Sequence, residues 1–221
     1  MKEIQNQVTT LIASDFLENL LKGNRANCST IVKQYLALNP SIIDLYEQIL
    51  KVSLYNVGLL WETNKITVAT EHLATAITEG ILNELFEQII SNKRLNKKVV
   101  VTCVEKEQHQ VGIKMVADVF EMHGWESFFL GSGVPSNELI KFIHQVKPDL
   151  LAISLSVYFN FTNLLKLLNI IKKEFPTLQI IVGGQAFNRM SNSTIEEMEN
   201  VVLLSDLYML EKYIFALNND H

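Results

Sequence analysis

The chain has 221 residues, a formal net charge of −5, 48% hydrophobic and 19% charged residues, and only 9 Gly and 4 Pro. That balance gives enough apolar material for one medium or two small domains with real cores, and it excludes disordered, collagen-like and low-complexity classes. Without a concentrated basic stripe the chain has no means of neutralising phosphates, so no direct nucleic-acid binding is expected.

The longest uncharged run, 150–165, contains Asn160, Thr162 and Asn163 and is shorter than the roughly 20 apolar residues a membrane span needs. The start, MKEIQNQ, has no apolar signal core. Cys28 and Cys103 sit in apolar contexts and suggest no disulfide framework, so a cytoplasmic location is expected.

Up to residue 91 the spacing is helical, predicting helices over about 7–22, 28–38, 41–62 and 67–91. The last is the clearest, with Leu73, Ile77, Ile81, Leu85 and Ile89 recurring at i+4. Gly23-Asn24, Asn39-Pro40 and Thr63-Asn64-Lys65 break them. Short links make neighbouring helices antiparallel, so 1–91 reads as a four-helix bundle. The polar, basic stretch 91–98 reads as a linker.

Beyond it strands and helices alternate. Strands are predicted at 98–104, 127–130, 150–156, 179–182 and 201–204, and helices at 110–123, 136–146, 161–175 and 206–217. Runs such as LLAISL and IIVGG lack period-2 alternation, which indicates strands covered on both faces. The expectation for 98–221 is a Rossmann-like, flavodoxin-type α/β domain with a five-stranded parallel sheet. Ligands of such sheets sit beyond the carboxyl ends of the strands.

Three features fall there. Glu107, His109 and Gly112 form E-x-H-x-x-G after the first strand, placing an imidazole at a strand end with a carboxylate able to fix its tautomer. Ser154 and Ser156 end the third strand, where i and i+2 share a face. Gly183-Gly184 end the fourth and remove side chains where a ligand could lie on backbone. His123 reads as a helix-terminal dipole partner, His144 as an exposed helix residue, Cys103 as core, and His221 lies at the terminus.

With residues 113–153 and 157–182 as spacers, this pattern resembles the cobalamin-binding domains of the methionine-synthase and mutase type. The resemblance implies that His109 is the lower axial ligand of cobalt in a base-off cofactor. It also implies a nucleotide-tail channel lined by Ser154, Ser156, Gly183 and Gly184 and bordered by the 131–135 turn with Gly133 and Val134. Two residues depart from the family: Glu107 stands where Asp is usual, and Ser156 replaces Leu. Glu there is similar to the light-sensing branch related to CarH-type repressors. That branch also carries W-x9-E-H in a preceding helical bundle, matched here by Trp61, Glu71 and His72.

The resemblance implies that these three residues meet the 5′-deoxyadenosyl group of adenosylcobalamin. The chain then reads as a non-enzymatic photoreceptor, signalling through its oligomeric state or a partner protein. A photocobilin variant adds biliverdin as a second chromophore. Glu62 follows Trp61 where CarH-type repressors have a histidine, which leaves His72 as the candidate for a second cobalt ligand. The other reading is a corrinoid methyl-carrier protein of a methyltransferase system.

Overall fold

The computed structural model describes residues 2–189 and 193–219. The chain divides into two compact units, Met1–Glu87 and Gln88–His221.

The first unit is helical: α1 (Lys2–Leu21), α2 (Arg25–Leu36), α3 (42–62) and α4 (Val68–Glu84). Its breaks are set by residues tolerant of left-handed backbone. Gly23, Asn39 and Asn64 all have positive φ, at 70°, 64° and 55°, just past the ends of the first three helices. Each following helix starts on a side-chain cap, from Asn24, Ser41 and Thr67; Ser41 and Asp44 cap one another reciprocally. The core is apolar and includes Phe16, Leu20, Tyr35, Tyr46, Ile77 and Ile81. Two details differ from the periodicity. Leu45–Leu50, in the middle of α3, is π-helical. The helix expected over 67–91 turns at Leu85 and resumes as the short α5 (Phe86–Ile89), where the two units divide.

The second unit runs β1 (Lys98–Cys103), α6 (Val111–Met122), β2 (Glu126–Gly131), α7 (Ser136–Val146), β3 (Leu150–Ser154), α8 (Phe161–Glu174), β4 (Gln179–Gly183), α9 (Ser193–Glu196), β5 (Val201–Leu203) and α10 (Leu207–Asn219). All strands are parallel, in the order β2-β1-β3-β4-β5. This is the expected five-stranded, flavodoxin-type sheet. Its buried strands need cover on both faces. On one face Leu139 and Ile143 of α7 and Leu164, Leu167, Leu168 and Ile171 of α8 join Val100, Leu151, Ile153, Ile180 and Val182 in one core. On the other, α6 packs on β1, β2 and β3, and α10 packs on α6.

Register brings Cys103, Ser154 and Gly183 into one row at the carboxyl ends of β1, β3 and β4. The chain order reverses between β1 and β3, which is where a sheet of this order opens its ligand crevice. No helix among the described residues is long and apolar enough to cross a membrane.

Candidate cofactor-binding site

The loop from β1 to α6 turns sharply at Lys106, whose φ is +72°. The turn carries Glu107 inward, where its side chain is 1% exposed. A buried carboxylate needs donors on both oxygens, and the fold supplies them. Oε1 accepts the Nδ1–H of His109 at 2.6 Å and the backbone N–H groups of Gln108 and His109 at 3.0 and 3.1 Å. Oε2 accepts the N–H groups of Ser156 and Val157, at 3.1 and 2.9 Å, and faces the Asn160 amide at 3.5 Å. Burial pushes the carboxyl pKa up. The His109 ring N–H, the backbone donors and the imidazole charge outweigh that and hold it at about 2.

Glu107 is thus ionised and only accepts, so the Nδ1 of His109 must donate; whenever the ring is neutral its lone pair is then on Nε2. The imidazole is 50% exposed. A carboxylate that fixes one ring nitrogen so that the other can bind metal is a common arrangement around protein-bound metals.

Two more side chains of this loop tie it to the turn after β2. Glu105 Oε2 accepts the Ser136 hydroxyl at 2.6 Å and its N–H at 3.2 Å, and the hydroxyl is the main cause holding its pKa below the usual range. Gln110 Oε1 accepts the N–H and hydroxyl of Ser132 at 3.1 and 3.2 Å. The loop after β1 therefore latches the loops after β2 and β3. Glu105, Gln110 and Asn160 escaped the sequence reading; their signal was a dense polar run, EKEQHQ, and a lone Asn within the apolar 157–161.

Whether the glycines leave room for a ligand is a steric question, and the answer splits. A Cβ on Gly112 or Gly133 would meet nothing within 4 Å, so both face open space. A Cβ on Gly183 would lie 2.8 Å from the Leu204 carbonyl oxygen. One on Gly184, where φ is +119°, would lie 2.3 Å from that of Leu155. The chain's own backbone therefore already requires glycine at both positions, whatever else lies against them. The serine expectation changes. Ser154 ends β3 and is buried, but Ser156 lies beyond the strand and uses its N–H on Glu107, so the two do not share a strand face. Val134 packs half-buried against the core.

In the helical unit Trp61 stands in the last turn of α3 and is 41% exposed. The 63–67 link returns the chain to α4, whose first turns carry Glu71 and His72. Glu71 accepts the Nδ1 proton of His72 and the Thr75 hydroxyl at 3.0 Å, which fixes its carboxylate while the His72 ring stays exposed.

The remaining candidates have structural explanations. Cys103 is buried, its pKa pushed up to about 12 by burial and then by the Glu107 charge. His123 closes α6 and pairs with Glu211 at 3.3 Å, and His144 pairs with Glu174 at 3.0 Å. His221 lies outside the described residues. Among the described residues no group of three His, Cys, Asp or Glu could hold a bare metal ion. One half-exposed imidazole suits a metal that arrives with its other ligands already in place.

A parallel 2-1-3-4-5 sheet with a carboxylate-held imidazole at its switch point thus follows a helical unit in one chain. Residues 97–205 match the B12 binding domain family, and residues 12–85 match a second B12 binding domain family. The chain belongs to the B12-binding-domain proteins, and its cofactor is a cobalamin.

The chain is 25% identical over 179 residues to the HTH-type transcriptional repressor CarH of Myxococcus xanthus, covering 79% of this chain and 59% of the repressor. It is 27% identical over 90 residues to the repressor CarA of the same organism, covering 41% of this chain and 31% of CarA. It thus spans less than two thirds of either relative. The Methanosarcina barkeri monomethylamine corrinoid protein shares the fold, with a TM-score of 0.78 at 17% identity, over 92% of this chain and 96% of that one. The methanol:cobalamin methyltransferase complex MtaBC from Methanosarcina barkeri gives a TM-score of 0.52 at 15% identity, over 95% and 80%.

Proposed function

We propose that the chain is a cobalamin-dependent light sensor that uses adenosylcobalamin and signals by a change in conformation or oligomeric state, with no catalysis of its own. When bound, adenosylcobalamin supplies a cobalt–carbon bond that visible light breaks. His109 is the residue that holds the metal, with Glu107 keeping its Nδ1 protonated and its ring aimed. Gly112 and Gly133 would leave space for the corrin, and Val134, Ser154, Ser156, Gly183 and Gly184 would line the channel for its nucleotide tail. Trp61, Glu71 and His72 would recognise the adenosyl group, with His72 also offering an exposed imidazole.

The observation that carries this reading is the half-exposed indole of Trp61 in the last turn of α3, one short link (63–67) before the first turns of α4, which carry the Glu71–His72 pair. An indole supplies a stacking surface, and a held carboxylate with an exposed imidazole supplies hydrogen-bonding groups; a nucleoside uses both. The similarity to CarH over both units supports a regulatory role rather than a carrier one. A corrinoid methyl carrier is the competing reading, because the fold is common to both.

The test is the absorption spectrum and size-exclusion elution of the adenosylcobalamin-loaded protein before and after green light. The sensor reading predicts changes in both. No light effect on either favours the methyl carrier. A band in the red, in protein made with biliverdin supplied, would add the second chromophore.

A further inference from the structure

Val157, Tyr158 and Phe159 are three successive exposed apolar residues that begin three positions past the end of β3, with Tyr158 65% and Phe159 89% exposed. Their backbone is firmly held. The Val157 N–H donates to Glu107, the Asn160 N–H to the Val157 carbonyl at 3.0 Å, and the buried Asn160 amide reaches the Lys106 carbonyl at 3.5 Å. The Tyr158 ring stacks on Phe161, centroids 6.1 Å apart and planes 11° apart. Single exposed apolar residues are ordinary, but an aromatic pair on a fixed turn at the sheet's switch point presents apolar area with little ordering left to lose.

Building on the cobalamin reading, we infer that Tyr158 and Phe159 pack against the corrin macrocycle and set its affinity. Glu107 grips His109 with one oxygen and the turn bearing the aromatic pair with the other, so the metal-holding imidazole and the pair are fixed relative to each other. The side chains that tie the other loops at this rim, Glu105, Gln110 and Ser132, are polar. A corrin is a flat ring with apolar faces and an amide fringe, and aromatic side chains are suited to both. The contact is to the ring and not to the nucleotide tail.

The experiment titrates the full-length protein in the dark with aquocobalamin, and separately with aquocobinamide, which lacks the nucleotide, following visible absorption. F159S should weaken both about tenfold, equivalent to about 1.4 kcal/mol, and the Y158S/F159S pair should weaken both further. I170S, at an exposed position on α8, should change neither. Cofactor-free thermal unfolding of all variants should match wild type. Unchanged affinities in the aromatic variants overturn the inference, as does a loss confined to cobalamin or one accompanied by a lowered thermal midpoint. Failure of the wild-type protein to bind either corrinoid overturns the cobalamin reading itself.

Discussion

The carboxylate of Glu107 accepts the N–H of Val157 at 2.9 Å, joining two loops that lie 50 residues apart in the chain. Its other oxygen holds His109, so one buried side chain both ties the loop after β1 to the loop after β3 and sets the tautomer of the imidazole. A shorter acid could not do both from the same backbone position. E107D should keep one set of contacts and lose the other, lowering stability by about 1–3 kcal/mol in denaturant unfolding. E107Q should lower it as well, because an amide cannot accept on both ends.

The same group fixes the acid behaviour. Its folded pKa of about 2 lies below its ordinary 4.5, so the stabilisation is fully present above 4.5 and is lost as pH falls from there towards 2. The contribution is on the order of 3 kcal/mol. Unfolding free energy of the cofactor-free protein should fall across that window, and the fall should be shallower in E107Q.

The glycines separate fold from ligand. Gly184 has positive φ and no room for a methyl group, so G184A should cost several kcal/mol in thermal or denaturant unfolding. Gly112 lies in the first turn of α6 with open space around it. G112A should leave stability unchanged or raise it by up to about 1 kcal/mol, while weakening cobalamin binding in a dark titration. Equal binding by G112A would remove that glycine from the site.

Much of the fold was legible in the sequence because its signals are local. The i+4 ladder of 67–91, the left-handed breaks at Gly23, Asn39 and Asn64, and the continuous apolar strand runs each follow from short-range patterning. The π-helical turn of Leu45–Leu50 was not legible, since periodicity does not encode one extra residue per turn. At the site, the motif spacing picked out Glu107 and His109, which the fold brings into contact. The tie from Glu107 to Val157 and Asn160 escaped because it depends on parallel register between β1 and β3. The packing demand for glycine at 183 and 184 was not legible, because the carbonyls that impose it, of Leu204 and Leu155, are distant in sequence.

The thiols should be inert. Burial is the main cause raising Cys28 to about 11 and Cys103 to about 12. At pH 8 neither should react appreciably with a disulfide reagent such as DTNB in the native protein, and both should titrate once it is unfolded.

Trp61 is partly exposed, so W61A should change stability of the helical unit by no more than about 1 kcal/mol. If it contacts the adenosyl group, the variant should still bind cobalamin but alter dark retention and photolysis rate of the adenosyl form. Identical rates would exclude Trp61 from that role.

The proposed imidazole–cobalt contact at His109 is tested most directly by electron paramagnetic resonance of the cob(II)alamin-loaded protein, prepared with 14N-histidine and with 15N-histidine. A protein imidazole on the metal predicts superhyperfine triplets that become doublets on 15N labelling and disappear from that form in H109A. Triplets insensitive to the label, or unchanged in H109A, would show that the cofactor's own base or another residue holds the cobalt and would contradict the account.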